Sequence, residues 1–269
     1  MTPHRDTRSA GLHASRSLAK NQNRLPHPGT VIASSFTSPI DCLYLAAIFD
    51  PIFTASYPTT RLVQPISLFQ AIWRALTPPS TTPPPGVRLI PLSQLVKENP
   101  DSSVVVLPEC TTSNGRGILP LSHSILTVGP KTKIFPVNLR YSPADVTTPV
   151  PGTYISFLWD LCSRPTHCIR VRIAEAVYVP NTRALGVEDA KHLGISFDTD
   201  AQDPMGTPFS SAETLTNEDK ESGLNTAERK VLNQVADDLA RLGRSKRVGL
   251  GVQNKVEFVR MWTKTRTIW

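Results

Sequence analysis

The sequence predicts an α/β fold with a mostly parallel central sheet flanked by helices and further helices at the C-terminal end. Three observations carry that reading. Strand-like and helix-like segments alternate up to about residue 180, the pattern of a sheet whose crossovers are helical. Residues 103–107 (SVVVL) form an almost wholly apolar, β-branched run, as a strand buried on both faces requires. Beyond a polar stretch, Val231, Leu232, Val235, Leu239 and Leu242 recur at helical spacing.

In chain order, residues 31–34 follow a Pro-Gly turn and read as the first strand. A helix opens at Ser38-Pro39-Ile40-Asp41, because serine is a favoured N-cap and proline suits the first helical position. Leu43, Ala46, Ala47 and Phe49 are expected along its buried face. Residues 52–56 suit a second strand, and 66–76 a second helix with Leu68, Ile72, Ala75 and Leu76 inward. Residues 77–86 (TPPSTTPPPG) exclude regular structure, since their prolines remove donors and favour polyproline II. A short helix over 92–98 precedes the apolar strand.

Two further strands are read at 133–141 (KIFPVNLRY) and 168–179 (CIRVRIAEAVYV). The second alternates Ile169, Val171 and Ile173 against Arg170, Arg172 and Ala174. Between them, residues 154–162 (YISFLWDLC) are apolar enough for a core or interfacial helix. Asn225 and Glu228 form a capping-box-like pair at the head of the long helix. Val256, Phe258, Val259, Met261 and Trp262 then mark one more amphipathic helix in a basic tail. The expected organisation is a disordered basic arm over 1–29, an α/β domain over 30–180, a polar linker over 181–224 and a helical segment over 225–269.

A formal net charge of +7 fits an acidic partner (nucleic acid, an anionic membrane surface or a phosphorylated substrate), or simply solubility. Nucleic acid is disfavoured, because only 7% of residues are aromatic and basic and aromatic residues do not alternate. Cys42, Cys110, Cys162 and Cys168 form no CxxC pair and no zinc-ligand spacing with histidine. With no signal peptide they read as reduced thiols of a cytosol-facing protein. No apolar stretch is long enough for a spanning helix, and the longest, 40–53, is broken by Asp41 and Asp50.

Residues 104–117 (VVVLPECTTSNGRG) are the segment best placed to carry chemistry. A buried strand runs here into a loop of hydroxyls and glycines, and ligands of open α/β sheets bind at the carboxyl ends of strands. Asn114 and two glycines permit tight turns, and Arg116 has the geometry to grip a phosphate bidentately. The bland alternative is a glycine-containing turn with an exposed arginine.

This segment is similar to the third motif block, FPEGTxS, of PlsC-like glycerolipid acyltransferases. It resembles most the form FPEGTTSNGRG of a fungal branch of lysophosphatidic acid acyltransferases, from which only Leu107 and Cys110 depart. Residues 35–41 (SFTSPID) stand where the first block, NHxSxxD, belongs, and 134–137 (IFPV) resemble the fourth. Residues 67–74 (SLFQAIWR) lie at the place of the second block. The likeness spans roughly residues 30–180.

The resemblance implies a glycerol-3-phosphate acyltransferase-like fold and acyl transfer from acyl-CoA to a lysophospholipid, here lysophosphatidic acid, giving phosphatidic acid. It implies acyl-CoA as co-substrate, no metal or other cofactor, and a cytosol-facing place on endoplasmic reticulum or lipid-droplet membrane. Glu109, Thr111, Ser113 and Arg116 are then expected to hold the acceptor. In the family a histidine takes the acceptor hydroxyl's proton, and an aspartate five residues on holds the imidazole. Asp41 matches that aspartate, but Phe36 stands at the histidine position and cannot accept a proton.

The alternative is therefore a pseudoenzyme or lipid-binding module on the same scaffold. Thr112 stands where many members carry a phosphate-binding arginine, a role that Arg116 is expected to take. Each of these residues also has a plainer reading: Glu109 as a loop-orienting carboxylate, Asp41 as a helix N-terminal acid stabilised by the dipole. His123 and His167 are the candidate replacement bases, and Cys42 a candidate nucleophile; each is more simply a structural or solvated residue.

Overall fold

Strand β1 (Val31–Ser34) lies inside a six-stranded sheet of order β3-β2-β4-β1-β6-β7. The structure, a computed structural model, describes residues 24–147, 150, 153–180 and 224–266. Most of the expected arm over 1–29, and the linker over 181–224 apart from Leu224, lie outside the described residues. The elements in chain order are β1, α1 (Pro39–Phe49), β2 (Ile52–Ala55), β3 (Gln64–Ile66), α2 (Leu68–Leu76), α3 (Leu92–Glu98), β4 (Val104–Val106) and β5 (Gly117–Ile118). They continue with β6 (Ile134–Ser142), α4 (Tyr154–Cys162), β7 (Cys168–Ile173), α5 (Thr226–Gly243), β8 (Lys246–Arg247) and α6 (Val252–Arg266).

Strands β2, β4, β1 and β6 run parallel, with Val31 opposite both Val104 and Ile134. Antiparallel β3 and β7 close the two edges. The fold class is thus the one the alternation of segments predicts: a mostly parallel sheet flanked by helices, with C-terminal helices.

Both sheet faces are covered, which is why β4 is apolar at every position and β1 at all but its last residue, Ser34. On one face Val31, Ala33, Val104, Val106 and Ile134 pack with Leu92 and Leu95 of α3 and Val231, Val235 and Leu239 of α5. On the other, Ile32, Val105, Leu107, Val137 and Leu139 pack with Cys42 and Leu45 of α1 and Ala71 and Ala75 of α2. Adjacent parallel β1 and β4 deliver their carboxyl ends side by side, and the candidate loops start there.

Several local expectations are corrected. Leu43 is about half exposed and Ala47 is exposed, while Asp41, Cys42 and Leu45 form the buried face of α1. The helix is rotated to turn the Asp41 carboxyl inward, a polar anchor that an apolar periodicity cannot register. Strand β3 adds to the expected elements, and the helix expected over 66–76 starts at Leu68; β3 contains Pro65 and is a short edge strand, where a missing donor is tolerated. β7 ends at Ile173 rather than running to 179, and Val177 then bridges back to Ile134 with the register shifted by one residue. That shift falls at Pro136, which has no N–H for the ladder. Helix α4 is not a core helix: Phe157 is buried, while Ile155, Leu158 and Trp159 are exposed.

Candidate functional site

The loop after β1 and the loop after β4 are sewn together by one carboxylate. Glu109 is completely buried, and its two oxygens accept the backbone N–H of Phe36 and of Leu119, each at 3.1 Å. The return bond is Ser113 N–H to the Phe36 carbonyl at 2.8 Å. Burial pushes the Glu109 carboxyl up to about 7, against the pull of the two amides. Its charged neighbours are Asp41, which raises it further, and Lys255, which lowers it.

Asp41 anchors the first loop. Ser38 is the N-cap of α1, and the Asp41 carboxylate reaches back to Thr37 N–H at 2.6 Å and Ser38 N–H at 2.9 Å. The Thr37 hydroxyl donates at 3.1 Å, and the Tyr141 phenol of β6 donates at 2.5 Å. Burial raises the Asp41 carboxyl to about 6, and the Tyr141 hydrogen bond is the largest of the effects opposing it. The Asp41 charge, added to burial, holds the Tyr141 phenol protonated far above the ordinary range. Every role that an imidazole would play toward this carboxylate is filled by backbone amides and hydroxyls.

Phe36 itself faces away from this polar seam. Its ring is 2% exposed and belongs to the apolar cluster of Ile32, Cys42, Leu45 and Leu107. Cys42 lies in the same cluster, and burial, then the Asp41 charge, pushes its thiol far up, away from the thiolate that a nucleophile needs.

The second loop carries a backbone peculiarity at Cys110, the other departure from the motif it resembles. Cys110 has φ +60°, the left-handed region, where glycine is at home and other residues pay about 1–2 kcal/mol. Its amide bonds back to the Leu107 carbonyl at 3.1 Å, closing the turn, and burial pushes its thiol up to about 12. Thr111, Thr112 and Ser113 follow, all buried. Asn114 Oδ1 accepts the Arg116 N–H at 3.0 Å, and Arg116 is exposed at the loop's far end. Glu109, Thr111 and Ser113 are therefore brought together, with Arg116 on the outer rim.

Neither candidate histidine joins this seam. His123 is half-buried beside Arg61 and Glu228; burial and Arg61 push its ring below the usual range. It lines a cleft of about 180 Å³ with Cys110, Leu121, Ser122 and Val252. His167 Nε2 lies 2.8 Å from the Leu161 carbonyl, a bond that holds the turn between α4 and β7.

Two residues of the site are absent from the sequence-based expectation. Tyr141 is one. The other is Lys255 of α6, whose ammonium donates to both the carbonyl and, at 2.6 Å, the hydroxyl of Thr112. The small parallel pair β5–β8 brings α6 there, and it needs a glycine: a Cβ on Gly117 would lie 2.9 Å from the Val248 side chain. Burial lowers the Lys255 ammonium to about 8, with Glu109 opposing.

Fold and site together define an α/β protein with a buried carboxylate clamp at the carboxyl ends of neighbouring parallel strands, lidded by a lysine-bearing C-terminal helix. No family model matches the chain. It is 27% identical over 168 residues to a Schizosaccharomyces pombe protein named "Putative lysophosphatidic acid:oleoyl-CoA acyltransferase". That match covers 62% of this chain and 55% of the relative, so the chain spans little more than half the length of the curated protein it resembles.

Proposed function

We propose that this chain is an acyl-CoA-dependent O-acyltransferase acting on a lysophospholipid, with lysophosphatidic acid as acceptor and phosphatidic acid as product. The observation that carries the reading is the Glu109 clamp. It ties the loop of the resembling third block to the Phe36–Asp41 loop of the first, at the end of the sheet where α/β ligands bind. The likeness to the fission-yeast protein supports the same chemistry. In the reaction the acceptor hydroxyl oxygen bonds to the thioester carbonyl carbon, the carbon–sulfur bond breaks, and the hydroxyl proton ends on the departing CoA sulfur, giving the ester and the free thiol. Thr111, Ser113 and Arg116 hold the acceptor, and Glu109 keeps their loop in register with the first.

A second reading is favoured by a specific observation: Asp41 is saturated by non-imidazole donors and Phe36 is part of the core. Such a site binds lipid without accepting a proton, as a pseudoenzyme would. A cytosol-facing position on endoplasmic reticulum or lipid-droplet membrane belongs to the proposal under either reading. Among the described residues no helix is long and apolar enough to cross a membrane.

The test is transfer from labelled oleoyl-CoA to lysophosphatidic acid by wild type, Phe36→His and Glu109→Ala, each checked for folding by circular dichroism. Wild-type turnover abolished in folded Glu109→Ala establishes the enzyme. A silent wild type that gains turnover as Phe36→His establishes the pseudoenzyme.

A further inference from the structure

We propose that Lys255 is a ligand for the phosphate monoester of the acceptor, delivered to the Thr111–Thr112–Ser113 loop by helix α6; this rests on the acyltransferase-scaffold reading above. The geometry comes first. Lys255 is half-buried, and two of its three N–H bonds are fixed on the Thr112 carbonyl and hydroxyl, which aims the ammonium at the loop. Among the described residues it forms no ion pair with a carboxylate: the five ion pairs present all use arginine.

A shielded ammonium held by neutral oxygens is costly, because those dipoles do not repay the lost hydration of a full charge. The cost is visible as the lowered proton affinity that burial gives it. An arriving dianion would offset that cost and use the third N–H. The neighbours suit one: the Thr111, Thr112 and Ser113 hydroxyls lie in the same turn, and Arg116 stands exposed at its rim. Glu109 is close enough to act on Lys255, yet both of its oxygens are engaged by amides, so it tunes the ammonium without neutralising it by contact.

Phosphate esters reach this site from two sources, the lysolipid headgroup or the phosphates of CoA, and the proposal commits the ammonium to the headgroup. Lys255→Met keeps the stem that packs α6 and removes the charge; Lys255→Arg keeps the charge. Binding is measured for lysophosphatidic acid, for monoacylglycerol of the same chain, and for CoA. Lys255→Met is expected to weaken lysophosphatidic acid about tenfold to a hundredfold, as loss of a charge-assisted bond does. Monoacylglycerol binding stays unchanged, and Lys255→Arg restores most of the loss.

A second measurement needs no variant. Amine-selective labelling of wild-type protein, read by peptide mass spectrometry, is expected to mark Lys255 less in lysophosphatidic acid than in monoacylglycerol. Equal weakening for both lipids, or protection by CoA alone, overturns the assignment. So does a wild type that binds no lysophosphatidic acid. Transfer activity with lysophosphatidic acid affinity untouched by Lys255→Met removes the lysine and leaves the enzyme reading standing. Lysine-dependent binding with no transfer keeps the lysine and removes the enzyme.

Discussion

The Tyr141 hydroxyl donates to Asp41 Oδ1 at 2.5 Å, joining strand β6 to the first turn of α1 in the fully buried centre of the site. This bond replaces what an imidazole would give the carboxylate, and it keeps Asp41 from drifting further toward the neutral acid. Oδ1 has one other contact, a long one of 3.4 Å from the Thr37 hydroxyl. Tyr141→Phe therefore strands a buried carboxylate oxygen, which costs about 1–3 kcal/mol. The loss falls on the ionised form, so the penalty is expected to grow as pH rises through about 6, where Asp41 titrates. Urea unfolding of wild type and Tyr141→Phe at pH 5 and pH 7.5 checks this; an equal penalty at both pH values would refute it.

Glu109 makes stability depend on pH in an unusual direction. Its folded-state value, about 7, lies above the ordinary 4.5. Between those values the unfolded chain has released the proton and the folded chain still holds it. Raising pH through that window therefore favours unfolding, by about 3 kcal/mol for a displacement of this size. Asp41 adds a loss of the same sign between 3.8 and about 6. Glu109→Gln removes the first contribution. It also turns an amide N–H toward a backbone donor, so it is expected to be less stable than wild type near pH 4.5. The deficit shrinks as pH approaches 7, and melting temperatures across pH 4–8 follow it. A deficit that stays constant with pH would show that Glu109 ionises normally.

Much of the fold is legible because its signals are local. An apolar β-branched run with no polar alternation marks a strand covered on both faces, and Val104–Val106 is such a strand. Asn225 and Glu228, three residues apart, form the capping box of α5 that their spacing predicts. The site is legible only in part, for the same reason. Glu109 stands out in its motif, but its partner amides depend on tertiary placement. Tyr141 lies 100 residues from Asp41, and Lys255 lies 143 from Thr112. Thr112 visibly stands where the motif that the loop resembles often has an arginine; nothing within the loop says that a cation returns to it from α6.

Cys110 offers a test of backbone strain. Its left-handed φ is paired with a buried thiol that bonds weakly to the Pro108 carbonyl at 3.5 Å. Cys110→Gly relieves about 1 kcal/mol of strain and forfeits a similar amount of buried side chain. Its unfolding free energy is expected within about 1 kcal/mol of wild type. Cys110→Val, β-branched at the same φ, is expected to lose more than about 2 kcal/mol. Chemical denaturation of the pair decides it: equal stabilities would mean that the turn relaxes and stores no strain.

The exposed apolar face concerns the proposed membrane contact. Ile155 is 85% exposed and Trp159 73%, one turn apart on α4, while Phe69, 71% exposed, stacks on Trp73 of α2. The Tyr154 hydroxyl donates to the Leu76 carbonyl, which joins the start of α4 to the end of α2. Large aromatic and aliphatic side chains on neighbouring helices are the kind of surface that sinks into a lipid interface. Each is worth about 1.5–3 kcal/mol when buried, so Ile155→Glu with Trp159→Glu is expected to weaken binding to anionic liposomes at least about tenfold. Because both residues are exposed in the folded chain, the melting temperature is expected to stay where it was. Flotation in a density gradient reads the first expectation and calorimetry the second. Undiminished flotation of the α4 variant, with loss in Met261→Glu, would move the contact to α6, whose Met261 is also exposed.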